Sequence, residues 1–264
     1  MYPFTYHRPD SLGSAAALAG SADAKILAGG MTLLPTMKQR LAAPTSLVDL
    51  NSLSDLAGIS VAGGKVTIGA MTRHADVAAS EEVRKAIPAL ADLAGWIGDP
   101  MVRHRGTIGG SVANNDPAAD YPAACLALGA TIVTNMREIA ADDFFTGLFD
   151  TALEEGEILT GIVFPIPAKA AYQKFRNPAS RYAIVGVFVA QSAAGVRVTV
   201  TGAGENGVFR VASFEEALAK DFSAKAIEGI VVPAEGLNTD IHADAVYRAN
   251  LINVMARRAV EAAR

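Results

Sequence analysis

The chain of 264 residues is 51% hydrophobic and only 19% charged, with 23 basic and 27 acidic side chains and a formal net charge of −4. At roughly 150 residues per domain there is room for one large or two modest globular domains. The acidic balance argues against nucleic acid as a main partner, because phosphate neutralisation needs clustered Lys and Arg. The single cysteine, Cys125, excludes an internal disulfide and an iron–sulfur cluster held by this chain, since such a cluster takes four thiolates.

In chain order, the first residues read as an extended start without a charged region ahead of an apolar core, so no secretory signal is expected. Ser11 to Ala19 is an alanine-rich helix, with Leu12, Ala15, Ala16 and Ala19 at helical spacing. Ile26 to Ala28 is a short buried strand. It runs into Gly29-Gly30, then Met31, Thr32 and an apolar segment with Pro35, where a helix start tolerates the missing N–H. Leu47 to Leu50 is a strand. Ile59–Ala62 and Lys65–Ala70 flank Gly63-Gly64 and form a hairpin.

Ser80 caps a helix whose first turn carries Glu81 and Glu82. Pro88 interrupts that helix, and a second piece runs through Leu90, Leu93 and Ile97 until Gly98-Asp99-Pro100 ends it. Arg103, His104 and Arg105 form an exposed strip leading into TIGGSVANNDPAADY (107–121). This reads as a glycine-bearing loop, followed by a helix from Ala118 to Leu128 that Gly129 stops. Thr131 to Thr134 is a strand, and Ile158 to Pro165 is a further apolar segment.

A domain boundary is expected at Pro165 and Pro167. Beyond it, Ala183–Gln191 and Val196–Thr201 form an antiparallel hairpin. Helices are expected over Phe214–Ala219, near Ala224, and over Ala243–Ala263, where Tyr247, Leu251, Val254 and Met255 share a face. The longest apolar run, Tyr182 to Ala190, falls far short of the roughly 20 residues that span a bilayer. The expected location is the cytoplasm.

Two stretches carry the chemistry. Strand, glycine pair and helix start over residues 25–36 is an arrangement that presents backbone N–H groups to an anion. Gly109 and Gly110 make a second such bend, where small residues let a charged ligand approach the backbone. Asp116 and Asp120 stand beside it, suited to a sugar or ribityl end. Two bends of this kind can clamp a diphosphate from two sides.

Other motifs read as structure. Gly202 to Gly207 matches GxGxxG, but the residues after it are strand-like, and a dinucleotide fingerprint needs a helix there. The four histidines lack metal-ligand spacing. No nucleophile elbow or acid–base pair stands out.

AGGMTLLP together with RHRGTIGGSVANNDPAADYP resembles the flavoprotein (medium) subunit of molybdenum hydroxylases, the group of carbon monoxide, xanthine and aldehyde dehydrogenases. The likeness continues through DDFFTGLFDTALEEGEILTGIVFP, TGAGENGVFRVASFEEAL and DAVYRANLINVMARRAV, and so spans nearly the whole chain.

The resemblance implies an α+β fold. A two-subdomain FAD-binding module of the vanillyl-alcohol-oxidase (PCMH) type would occupy residues 1–167, with subdomains of about 1–56 and 57–167. A small α+β C-terminal domain, an antiparallel sheet with helices, would occupy residues 168–264. It implies FAD held at Ile26, Leu27, Ala28, Gly29, Gly30, Met31, Thr32 and Leu33, and at Thr107, Ile108, Gly109, Gly110 and Ser111. Asp120 would contact the adenosine part, Ile97 would lie against the cofactor, Leu159 would touch the adenine region and Lys174 would stand near the isoalloxazine ring.

The implied partners are a large subunit with the molybdenum cofactor and a small subunit with [2Fe–2S] clusters, in a heterotrimer or its dimer. Met31 and Ser111 depart from the family, which often has His or Gln and Asn there. The alternatives are a free-standing flavin-binding protein, or an independent flavoenzyme of the same fold.

Overall fold

The computed structural model describes residues 1–264. At the N-terminus, β1 (Thr5–His7) and β2 (Ala24–Leu27) both pair in parallel with β3 (Ser46–Asp49). Parallel neighbours need crossover connections, and two helices sit in them. They are α1 (Leu12–Ala19), capped by Ser11 accepting from the Ser14 N–H, and α2 (Leu33–Lys38), which follows the first glycine pair. A small apolar cluster of Ala15, Val48, Leu50, Leu53, Leu56, Met71 and Ile158 joins this layer to the next.

The second layer is a five-stranded antiparallel sheet. Its edge is the expected hairpin of β4 (Ile59–Ala62) and β5 (Lys65–Gly69), turned by Gly63 and Gly64 at φ +56° and +74°. Six helices follow: α3 (His74–Ala79), α4 (Glu81–Ala86), α5 (Pro88–Gly95), α6 (Pro100–Arg105), α7 (Ile108–Asn114) and α8 (Tyr121–Leu128). Then come β6 (Thr131–Thr134), β7 (Glu138–Ala140), the short α9 (Ala141–Phe144) and a two-stranded pair, β8 (Phe145–Gly147) with β9 (Asp150–Thr151). Last, β10 (Leu159–Pro165) enters the middle of the sheet, giving the order β4-β5-β10-β6-β7.

Three local readings change here. Gly98-Asp99-Pro100 does not only end a helix; it starts α6, with Asp99 Oδ1 accepting the Val102 N–H at 2.9 Å and Pro100 at the first helical position. The expected glycine loop is itself a helix, α7, because Thr107 caps it. The next helix starts at Tyr121 rather than Ala118, because Asp116 Oδ1 takes the Ala118 N–H at 2.8 Å and holds a turn there.

The third layer is a four-stranded antiparallel sheet of β11 (Lys169–Arg176), β12 (Ala183–Ser192), β13 (Gly195–Thr201) and β14 (Phe209–Arg210), with α10 (Ala212–Lys220) and α11 (Ala245–Ala262). Residues 202–207 turn between β13 and β14, and no helix starts within them.

β12 is buried on both faces. Val185, Val187 and Val189 belong to the core shared with α10 and α11. Phe188 and Ala190 belong to the core shared with α5, α8 and the five-stranded sheet. A strand covered on both sides reads as a continuous apolar run. α8 is buried along its whole length, Cys125 included, and burial pushes that thiol well above its ordinary range. No helix is long and apolar enough to cross a membrane.

Candidate functional site

The two glycine bends touch. A Cβ on Gly29 would strike the Arg105 carbonyl oxygen and lie 2.8 Å from Gly106 Cα. A Cβ on Gly110 would lie 3.5 Å from Ala28 Cβ and 2.8 Å from Thr107 Oγ1. Gly30 has φ +74°, a left-handed backbone in which a side chain is strained. Glycine here is therefore a requirement of close approach between the α2 and α7 segments.

A polar relay fixes that approach. Asn51 Nδ2 donates to the Ala28 carbonyl at 3.0 Å, and Asn51 Oδ1 accepts from Arg73 Nη2 at 2.8 Å. Arg73 Nη1 donates to the Arg105 carbonyl. One guanidinium thus ties the second bend to Asn51, which in turn holds the first. The backbone adds to it: Ile108 N–H bonds Thr72 O at 3.0 Å, and His74 N–H bonds Gly106 O at 3.0 Å.

The bends differ in what they leave free. No protein acceptor takes the backbone N–H of Gly29, Gly30, Met31, Thr32 or Leu33. Five successive unpaired donors in a turn are an anion-binding concavity. The second bend is different, and the expectation of outward N–H groups there is corrected. Ile108 and Gly109 donate to Thr72 O and Ala70 O, Ser111 donates to Thr107 O, and Gly110 donates to Thr107 Oγ1 at 3.2 Å. That bend offers the hydroxyl hydrogens of Thr107 and Ser111 and a side-chain-free surface. A Cβ on Gly109 would meet Ala70 Cβ at 2.5 Å, so Gly109 serves the packing of α7 on β5.

Both bends open into one cavity of about 930 Å³. Of the residues expected from sequence, Ile26, Ala28, Gly29, Gly30, Met31, Thr32, Leu33, Ile97, Thr107, Gly109, Gly110, Ser111, Asp120 and Leu159 line it. Leu27, Ile108 and Lys174 do not. Ile108 is fully buried in the core behind the bend.

Lys174 stands behind Asp120, its side chain 1% exposed, with Nζ 2.9 Å from the carboxylate and 3.1 Å from the Trp96 carbonyl. Tyr172 donates its hydroxyl to Asp120 Oδ1. Burial raises the Asp120 carboxyl, and the ammonium and the phenol work against that rise. A Cβ on Gly186, across the ladder from Lys174, would collide with the Tyr172 hydroxyl, so that glycine lets the ring lie flat along β12.

Sequence reasoning passed over several wall residues. His74, Ala70 and Met71 come from the end of β5 and the start of α3, and Leu153 and Ile158 from the segment before β10. Ser180, Arg181 and Tyr182 come from the β11–β12 connection and close one side. Only the nearness of Tyr182 to a strand start was visible in the sequence. The wall mixes apolar contact, unpaired amides, several hydroxyls and buried carboxylates. That donor set fits an elongated ligand with an anionic bridge and hydroxyl-bearing ends.

Residues 2–167 match the family model described as "FAD binding domain in molybdopterin dehydrogenase". The chain is 37% identical to the carbon monoxide dehydrogenase medium chain of Hydrogenophaga pseudoflava, over 98% of this chain and 96% of that one. It is 33% identical to the glyceraldehyde dehydrogenase medium chain of Sulfolobus acidocaldarius, over 98% of each. Among solved structures it is similar to carbon monoxide dehydrogenase from Hydrogenophaga pseudoflava, with a TM-score of 0.89 at 37% identity over 99% of this chain and 98% of that one. It is also similar to quinoline 2-oxidoreductase from Pseudomonas putida 86, with a TM-score of 0.88 at 31% identity over 99% and 97%.

Proposed function

Since this chain belongs to the family of FAD-binding domains in molybdopterin dehydrogenase, an oxidoreductase component, we propose that it is the FAD-binding subunit of a heteromeric molybdenum hydroxylase. In this reading a large partner oxidises substrate at a molybdenum cofactor. A small partner carries electrons through [2Fe–2S] clusters to this chain, as a heterotrimer or its dimer in the cytoplasm. FAD, when bound, supplies the passage of those electrons to an external acceptor.

Within that role each group of residues has a task. The unpaired amides from Gly29 to Leu33 would donate hydrogen bonds to the diphosphate, and the hydroxyls of Thr32, Thr107 and Ser111 would add donors to the same anion. Met31, where relatives often carry a polar side chain, shifts the work to the backbone. Asp120, held in place by Tyr172 and Lys174, accepts from hydroxyls of the adenosine part. Ile26, Ile97 and Leu159 exclude water along the walls. Lys174, 2.9 Å from Asp120 and off the cavity wall, would hold that carboxylate in place; this puts it with the residue assigned to the adenosine part and replaces the expected position near the isoalloxazine ring. The division we propose is an FAD-binding module over residues 1–167, with its two subdomains meeting near residue 56, and a C-terminal domain over residues 168–264.

The single observation that carries the reading is the run of five unpaired N–H groups in a bend that lines the same cavity as a second, side-chain-free glycine bend. Gly110→Val tests it, because the new methyl groups would fill the space between Ala28 and Thr107. The variant, purified with whatever partners accompany it, should retain almost no flavin by absorbance per chain. Flavin content equal to wild type would refute the assignment of the bend. A subunit gel of the native complex tests the partners: the chain running alone would leave the heteromeric part without support.

A further inference from the structure

Among the residues lining the cavity, His74 is the one with a sealed side-chain polar atom that has no hydrogen-bond partner. It begins α3, is 4% exposed, and lines the cavity beside Gly106 and Thr107. Its Nδ1 is sealed and has no partner. The ring packs against Tyr121, centroids 5.4 Å apart, and the buried Tyr121 hydroxyl is also without a partner. The Nε2–Cδ2 edge faces Gly106, where a Cβ would lie 2.5 Å from Nε2, so a glycine is needed to let the imidazole reach the wall at all.

Buried polar groups are nearly always paired, because an unmade bond is costly, so each exception needs a reason. A neutral imidazole carries one proton for two nitrogens. A sealed N–H without an acceptor is rarer than a sealed lone pair without a donor. The sealed Nδ1 therefore keeps the lone pair and Nε2 carries the proton. Arg73 and Arg103, the charged groups that act on this ring, also favour a neutral imidazole. The result is an N–H donor at the wall, beside the second bend, with no acceptor in the protein.

We propose that His74 is a ligand-contacting residue of this cavity, its Nε2–H donating to an acceptor atom of the bound flavin dinucleotide. The assignment rests on the FAD reading above. It adds a side-chain donor to a bend whose own amides are already used, and it explains why Gly106 has no side chain. The rival is a core histidine that only packs on Tyr121.

The test uses the complex that purifies with the chain, stripped of flavin and titrated with FAD. His74→Phe keeps the ring on Tyr121 and removes both nitrogens. It should raise the FAD Kd about tenfold, the scale of one hydrogen bond, while the Tm of the flavin-free protein stays at or above that of wild type. A structure of the FAD-loaded wild type should place Nε2 within hydrogen-bond distance of the ligand. Wild-type Kd in a folded His74→Phe, or Nε2 far from every ligand atom, overturns the assignment alone. If the variant does not fold, the loaded structure decides. Wild-type protein that takes up no FAD overturns the underlying reading and this assignment together.

Discussion

Arg73 is the residue on which the spacing of the two bends depends. Its planar fork bonds Asn51 with one nitrogen and the Arg105 carbonyl with another. Arg73→Met should raise the FAD Kd about tenfold to a hundredfold, at roughly 1.5–3 kcal/mol per charge-assisted bond. Arg73→Lys should recover little of it, because an ammonium cannot span both acceptors. A flavin-fluorescence titration giving the wild-type Kd for Arg73→Met would show that the bends hold their distance without the relay.

His74 sets a pH dependence at the same scale. Burial, then the cations Arg103 and Arg73, hold its imidazole down at about 4, against an ordinary value of 6.5. The unfolded chain therefore binds this proton first, and the stability it contributes is complete above pH 6.5 and lost as pH falls towards 4. The loss is on the order of 3 kcal/mol. Denaturant titration of flavin-free protein across that window should show the decline, and His74→Phe should flatten it. Parallel curves would mean that the ring takes up its proton as readily in the folded chain as in the unfolded one.

Among the elements, β11 matters most for the site and was the hardest to see. Residues 169–176, KAAYQKFR, show no clean alternation of apolar and polar side chains, and a lysine in mid-strand signals a solvent face. In the folded chain that face is covered by α5 and α8, and Lys174 finds Asp120 at the start of α8. Breaking a buried pair strands a charge and destabilises by about 3–5 kcal/mol. Lys174→Met should show such a loss in denaturant unfolding, and adding Asp120→Asn should restore part of it. A double variant no more stable than the single one would mean that the pair does not act as a unit.

Helices were easier to find than to bound. Ser11, Ser80 and Gly129 act as the caps that their residue types suggest. Thr107 and Asp99 are caps too, yet glycine and proline beside them suggested loop. The reason is physical: a short helix against a sheet draws its stability from packing, which propensity does not register.

For the molecule as a whole, the sheets part between Pro165 and Lys169, but the apolar interior does not. Ala170, Tyr172, Phe188 and Ala190 complete the core of the five-stranded sheet and its helices, and Ser180 to Tyr182 close the cavity wall. A chain ended after residue 167 should therefore expose that core and bind no FAD. Soluble expression of residues 1–167 with flavin bound would contradict this.

By itself the sequence determined the two hairpins, the long apolar run that becomes β12, most of the capped helices and the two glycine bends. These follow from local rules of periodicity, capping and positive φ, which need no knowledge of distant neighbours. The tertiary structure alone decided that the bends touch, that one keeps its amides free while the other uses them, and that Lys174 is buried. It also brought His74 and Tyr182 to the lining of one cavity. Each of those facts is a contact between residues far apart in the chain, and hydrogen-bond accounting closes only when every partner is in place.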